Sequence, residues 1–196
     1  MNVLDYVKVY QLLSEEECDL ILSETSNYQY HRALTTKFGE HDIEPQVDKY
    51  RTNKQTLIPY GSEIDKLIFE RVALGYSRWM DDLPQLEQGI WRNNYKNVKD
   101  TGYEINKYDE TEYYDWHIDI LPTKEVDRIL SLVLYLNDDY EGGELQFPFL
   151  KYTPKKGYAI LFPSNWMFPH TSLPIKSGTK YSLVTWMVND WSRVSE

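Results

Sequence analysis

The chain has 196 residues, 41% of them hydrophobic and 15% aromatic, enough apolar material for one sizeable core and too short for two full domains. A formal net charge of −10, from 21 basic and 31 acidic residues, argues against a nonspecific grip on nucleic acid, which needs Lys and Arg to neutralise phosphates. One cysteine, Cys18, excludes an internal disulfide framework, and no apolar run reaches membrane-spanning length. With no basic-then-apolar leader at its start either, the chain is expected in the cytoplasm, without a membrane or nucleic-acid partner.

Taken in chain order, "SEEECDLILSE" opens with Ser14 and Glu17 at capping-box spacing, which predicts a helix with Cys18, Ile21 and Leu22 on its apolar side. Residues 28–59 are polar and mixed. Strand-like "QYHRALTT" and "KYRTNKQTLI" flank "KFGEHDIEPQ", whose Gly, Pro and charges predict a loop. His31 and His41 lie in that neighbourhood without a carboxylate at chelating strand spacing, so both are expected on the surface. "GSEIDKLIFERVALGYSRWMDDL" predicts a second, longer helix capped by Ser62, with Ile64, Leu67, Ile68, Val72 and Tyr76 at helical spacing.

From residue 103 the pattern changes to short strands: "YEINKY", "YYDWHID", "RILSLVLYLN", "GELQF", "YAILF", "FPHTSL" and "KYSLVTWMVN". Turns are written into "DDYEGG", "PKKG" and "KSG". Seven strands at near-regular spacing predict an antiparallel sandwich or barrel with both helices packed outside it.

In "YYDWHID", His117 and Asp119 stand two residues apart, a spacing that sends both side chains to one face of a strand. The pair can chelate a metal, and it can equally be a partly buried histidine held by a carboxylate. His170 is the only other histidine in the strand-rich half. Two imidazoles and one carboxylate are the donor set of a mononuclear non-haem iron(II) site with open positions for oxygen and a bidentate organic acid. Residues 145–189 hold five lysines and no Asp or Glu. Lys180, ten residues after His170, either begins an exposed strand or neutralises an anionic cosubstrate across the "PIKSG" turn.

These residues carry a family resemblance. Tyr108, then "YYDWHID", "YLN", "EGGELQF", "LFPSNWMFPH" and Lys180 resemble the catalytic core of the 2-oxoglutarate- and iron(II)-dependent dioxygenases, especially the compact prolyl 4-hydroxylase-like branch. The likeness is specific over residues 103–189, and "VYQLLSEEECDLIL" resembles the family's opening. The resemblance implies a mainly β fold, a double-stranded β-helix (jelly-roll) core supported by N-terminal helices. Residues 1–196 would form one domain, with 1–102 supporting a catalytic core at 103–189.

It further implies that His117, Asp119 and His170 bind Fe(II) and act in catalysis. Lys180 would pair with the far carboxylate of 2-oxoglutarate, with Tyr135 and Tyr108 in the same cosubstrate pocket; Tyr135 can also be a core-filling aromatic. Retention of Asp119, which the family's halogenating relatives replace by a small residue, favours hydroxylation. The implied reaction consumes O2 and 2-oxoglutarate, releases succinate and CO2, and takes ascorbate as a candidate reductant. The expected substrate is a prolyl residue in a peptide or protein, contacted by Tyr114, Arg128 and Trp186, with the loop at 36–47 able to close over it. The two aromatics can equally be core residues and Arg128 a surface one. Tyr114 and Trp186 are drawn onto the metal-bearing face by strand spacing from His117 and Lys180. Rival readings are a free amino acid, another small molecule or an alkylated nucleobase as substrate, or a β-helix with no catalytic role.

Overall fold

The computed structural model describes residues 2–38, 43–46, 49–83, 98–120 and 126–190. A 3-10 turn at Val3–Tyr6 leads into β1 (Lys8–Gln11) and α1 (Glu15–Thr25); β2 (His31–Arg32), β3 (Thr35–Phe38), β4 (Ile43–Gln46) and β5 (Lys54–Leu57) precede α2 (Glu63–Asp81). Then come β6 (Val98–Asp100), β7 (Glu104–Tyr108), β8 (Tyr114–His117), β9 (Val126–Tyr135), β10 (Glu141–Gly142), β11 (Leu145–Gln146) and β12 (Lys151–Tyr152). The last strands are β13 (Tyr158–Pro163), β14 (His170–Ser172), β15 (Ile175–Ser177) and β16 (Lys180–Asp190).

Both helices form where their caps predict. The Ser14 hydroxyl accepts from the Glu17 backbone N–H at 3.2 Å while the Glu17 carboxylate accepts from the Ser14 N–H at 2.9 Å, the reciprocal capping box. Ser62 caps α2 in the same way, accepting from Asp65 at 3.1 Å. The buried stripe of α2 is Ile64, Ile68, Val72, Gly75 and Trp79, while the expected Leu67 and Tyr76 are only half-buried. Gly75 permits close approach: a Cβ there would stand 2.7 Å from Leu12 Cδ1.

The strands form a major antiparallel sheet in the order β1-β13-β9-β16-β7-β5-β2, with β6 also on β16, and a minor sheet in the order β12-β11-β14-β8. Alternation along β9 sorts its residues. Leu130, Leu132 and Leu134 join Cys18, Ile21, Ile68 and Val72 in the core beneath the helices, whereas Val133 and Tyr135 face the minor sheet with Leu145, Phe147 and Phe168. The molecule is therefore mainly β, with two sheets facing each other as a jelly roll and two helices outside. Among the described residues no helix is long and apolar enough to cross a membrane.

Three local expectations change. Residues 37–46 fall largely in a hairpin rather than a plain loop, β3 pairing antiparallel with β4 and Pro45 opposite Thr36. Gly39 and the charges that read as a loop fall between the two strands, outside the described residues with His41; His31 is exposed as expected. Ten strands, not seven, lie between Glu104 and Asp190 among the described residues, because β10, β12 and β15 are two or three residues long and carry no measurable periodicity. Part of the "KSG" turn is strand: Ile175–Ser177 pairs with Glu141–Gly142, and the chain reverses at Gly178, whose φ is 82°.

Candidate metal and cosubstrate site

The inner faces of the two sheets enclose a cavity of about 490 Å³ whose lining runs from Lys180 and Tyr135, past His117, Asp119 and His170, to Arg51, Glu104, Arg128 and Trp186. His117 and His170 meet because β8 and β14 pair antiparallel with these two residues directly opposite. Asp119 arrives differently. Strand β8 ends at His117, so alternation does not carry the carboxylate in; the Ser131 hydroxyl donates to its Oδ2 at 2.6 Å and Arg128 donates to its backbone carbonyl at 3.4 Å. The His117 and His170 Nε2 atoms lie 3.6 and 3.7 Å from the two Asp119 oxygens, and all three donor atoms fall within 4.8 Å of one another.

The histidines are oriented by their other nitrogens. His117 Nδ1 lies 2.7 Å from the Asp115 carbonyl and His170 Nδ1 lies 3.1 Å from the Phe168 carbonyl. A carbonyl only accepts, so each Nδ1 carries the proton and each Nε2 turns a lone pair to the centre. Burial, helped by His170, holds His117 neutral, its pKa pushed down to about 3. Burial pushes the Asp119 carboxyl up, but the two histidines and the Ser131 hydroxyl outweigh it and leave it at about 2. Two imidazoles and one carboxylate on one wall suit an iron(II) ion with open positions.

Tyr114 stacks on His117, the centroids 3.5 Å apart and the planes 11° from parallel. They stand three positions apart, an odd spacing that plain alternation would put on opposite faces, so strand spacing from His117 does not place Tyr114 on the metal-bearing face. The pairing His170↔His117 but Ser172↔Tyr114 sets Thr171 alone against Asp115 and Trp116, a bulge that turns both rings the same way. Arg51 Cζ sits 4.8 Å from the Tyr114 centroid. Nothing fits between rings 3.5 Å apart, so the guanidinium covers the tyrosine's other face.

At the far end Lys180 is 2% exposed, its Nζ donating to the Gly143 carbonyl and the Ser172 hydroxyl, both at 2.8 Å. Among the described residues no carboxylate lies within ion-pair distance of it. Burial alone brings its pKa down to about 7. The Tyr108 and Tyr135 rings lie 4.9 and 5.4 Å from Nζ, and the buried Tyr135 hydroxyl has no partner among the described residues. A solitary cation beside an unused hydroxyl fits the carboxylate of an organic acid. Gly143, in the second half of the Gly-Gly turn, has φ 66°, and a Cβ would stand 2.5 Å from Ile175 Cδ1 and 3.1 Å from Lys180 Cδ. The other lysines of that basic stretch lie outside the cavity: Lys156 pairs with Asp19, Lys151 pairs with Glu144, and Lys155 and Lys176 are exposed.

At the opposite end Arg128 Cζ lies 3.6 Å from the Trp186 ring, both residues lining the cavity. Among the lining residues that escaped the sequence reading, four carry a charged or amide side chain. Glu104 and Asn106 share a face of β7 with Tyr108, and period-two counting from Tyr108 could have found them. Arg51 and Gln55 come from the other side of α2, with no sequence signal linking them to the histidines. Arg51 donates to Asn106 Oδ1 at 2.8 Å, Asn53 Oδ1 at 3.1 Å and the Leu34 carbonyl at 2.9 Å, and its Nη2 lies 3.9 Å from Glu104 Oε2. Burial pushes the Glu104 carboxyl above its ordinary range against the pull of Arg51 and Arg128.

Residues 103–188 match the 2OG-Fe(II) oxygenase superfamily. The chain is 37% identical over 89 residues to a PKHD-type hydroxylase of Synechococcus sp. (strain CC9902), covering 42% of this chain and 39% of that protein. It spans about two-fifths of the length of the curated relatives it matches. Among solved structures, the viral collagen prolyl hydroxylase of Paramecium Bursaria Chlorella virus-1 in its 2OG complex superposes with a TM-score of 0.69 at 21% identity, covering 93% of this chain and 96% of that one. A Trichoplax adhaerens prolyl hydroxylase in complex with a hypoxia inducible factor peptide fragment gives a TM-score of 0.70 at 18% identity, covering 98% of this chain and 88% of that one. The resemblance read from the motifs is thus present in sequence and fold alike.

Proposed function

We propose that this chain is an Fe(II)- and 2-oxoglutarate-dependent dioxygenase that hydroxylates a C–H bond, of a prolyl residue in a peptide or protein. The observation that carries this reading is one cavity holding a His-Asp-His donor set at one wall and an unpaired buried lysine at its end. In this reading His117, Asp119 and His170 hold the iron, which with 2-oxoglutarate and O2 supplies oxidative decarboxylation to succinate and CO2 coupled to hydroxylation. Lys180 binds the far carboxylate of 2-oxoglutarate as a charge-assisted donor, the Tyr135 hydroxyl donates to the same group, and Tyr108 closes the pocket.

Ser131 holds the Asp119 carboxylate in place, so removal of that hydroxyl acts on metal binding through geometry rather than charge. Arg128, Trp186 and Tyr114 form the substrate end, where an aromatic wall and a guanidinium suit an apolar ring flanked by carbonyls. The names of the solved neighbours, two prolyl hydroxylases, support proline as the target and a peptide as its carrier. The hairpin β3–β4 begins at Thr35, which itself lines the cavity, so it is placed to cover an extended chain.

The test is anaerobic titration with Fe(II) and 2-oxoglutarate, followed by air and mass spectrometry of proline-containing peptides with ascorbate present. A gain of one oxygen atom at proline, with succinate, is expected. Oxidation of free amino acids or nucleobases with peptides untouched would overturn the peptidyl-proline assignment, and absence of succinate with any substrate would overturn the dioxygenase reading.

A further inference from the structure

The substrate end of the cavity contains more polar side chain than proline recognition uses. On β5 and β7, Gln55 stands opposite Asn106 and Leu57 opposite Glu104, so Gln55 and Glu104 are diagonal neighbours, about 7 to 8 Å apart at Cα. Both line the cavity. Their Oε1 and Oε2 atoms, respectively, are buried and accept no hydrogen bond from the described residues. In the same cavity the Arg128 Nε is buried and has no acceptor among the described residues. Buried polar atoms are rarely left unmatched, because losing water without a partner costs free energy. Here two acceptors, on β5 and β7, and one donor, on β9 of the same sheet, line one cavity built to receive a molecule.

Both unmatched atoms of the Gln55–Glu104 pair are acceptors, so the group that satisfies them must bring N–H or O–H. The charge of Glu104 already has Arg51 3.9 Å away and Arg128 in the same cavity, so what it lacks is a donor rather than a further positive charge. A neutral amide supplies that, and a peptide group also carries a carbonyl for the Arg128 guanidinium of the same cavity. Proline has no N–H of its own. The donor therefore comes from the residue after it, or from a flanking side chain.

Resting on the dioxygenase reading above, we infer that Glu104 and Gln55 form an acceptor subsite that reads an N–H group of the substrate next to the hydroxylated residue. This makes them specificity determinants: a chain lacking that donor enters the cavity but leaves the carboxylate and the amide oxygen unmatched.

The experiment measures anaerobic binding of peptides to the protein loaded with Fe(II) and 2-oxoglutarate. Three matched peptides are compared: a parent Lys-Pro-Ala-Lys core, the same core N-methylated at the residue after proline, and the same core with norleucine for both lysines. The parent is expected to bind at least tenfold more tightly than the N-methylated peptide. In Glu104→Ala and in Gln55→Leu that ratio should fall towards one. A ratio that instead follows lysine-to-norleucine replacement and collapses in Glu104→Ala also supports the subsite, assigning the donor to a side chain. Equal affinity for all three peptides in the unmodified protein overturns it, as does a ratio preserved in both variants. If 2-oxoglutarate binds and no peptide does, the subsite falls together with the peptide assignment while the dioxygenase reading stands; if 2-oxoglutarate fails to bind, that reading has failed as well.

Discussion

The two ends of the cavity are built on neighbouring strands of one sheet face yet solve opposite electrostatic problems. At the Lys180 end one buried cation faces hydroxyls and a carbonyl, with no carboxylate within ion-pair distance among the described residues and only the weaker pull of Glu144 farther off. At the other end Arg51 and Arg128 share their cavity with Glu104 and Asp119, and the formal charges of the four cancel. Leaving a buried charge uncompensated is costly unless a ligand compensates it, whereas a balanced cluster can fix geometry without demanding a counter-ion. The first end is shaped for an obligatory small anion. The second is shaped for orientation.

Between them lies the donor triad, and breaking it should silence both ends. Asp119→Ala or His170→Ala is expected to abolish Fe(II)-dependent succinate release, because a facial set of three loses most of its hold when one donor is removed. Anaerobic Fe(II) titration checks the cause: retained stoichiometric iron with wild-type turnover in either variant would mean the metal is held elsewhere.

The next largest effect separates the ends. Lys180→Ala should raise the 2-oxoglutarate requirement tenfold or more, the loss of a charge-assisted hydrogen bond of about 1.5 to 3 kcal/mol. Lys180→Met should do the same while making the ligand-free protein more resistant to denaturant, since it removes an uncompensated buried charge and retains its volume. A Met variant that is less stable and binds 2-oxoglutarate normally would show that Lys180 serves the fold and not the anion.

Much of this contrast was legible in the chain. A capping box marks the start of α1 and a serine cap that of α2, period-two patterning marks the long strands, and His117, Asp119, His170 and Lys180 stand out by residue type and spacing. Legibility failed where position depends on tertiary pairing. Asp119 enters the centre through Ser131, twelve residues on, rather than by strand alternation. Tyr114 enters through a bulge that appears only when β8 pairs with β14. Gln55 reaches the cavity because β5 pairs with β7, across α2, Arg51 because it bridges Tyr114, and a two-residue strand such as β10 has too few positions to show a period.

The anion end should also titrate while the balanced end stays silent. With the ligand-free Lys180 pKa at about 7, the ammonium is half-populated near neutrality and is lost as pH rises. A bound dianion favours the charged form, so 2-oxoglutarate affinity should fall with rising pH, by about fivefold between pH 7 and 8 by simple linkage. The stability sign is opposite: the folded pKa lies below the unfolded one, so the ligand-free protein should gain stability from this group between about pH 7 and 10.5. Calorimetric titration at several pH values checks the first, and denaturant midpoints of the protein and Lys180→Met check the second. A pH-independent affinity that Lys180→Met leaves unchanged would remove the contrast between the ends.

The smallest expected effect tests whether the substrate end reaches the metal through packing. Arg51 covers one face of Tyr114 and His117 covers the other, so the guanidinium, the phenol and the imidazole form one stack anchored to Asn53, Asn106 and the Leu34 carbonyl. His117 has its Nδ1 fixed by the Asp115 carbonyl, but one hydrogen bond leaves the imidazole free to tilt about it, and the tyrosine face limits that tilt. A cation–π contact of this partly exposed kind is worth about 0.5 to 1 kcal/mol, or roughly two- to fivefold in an equilibrium constant. Arg51→Met should therefore weaken Fe(II) or Co(II) binding by about that factor and alter the Co(II) absorption bands, with Tyr114→Leu producing a similar change and the double variant little more than either alone. Arg51→Lys should recover part of the loss, because an ammonium keeps the charge over the ring but not the planar fork. Strictly additive losses in the double variant, with unshifted Co(II) spectra, would mean that Arg51 and Tyr114 act on substrate separately and that the stack does not orient His117.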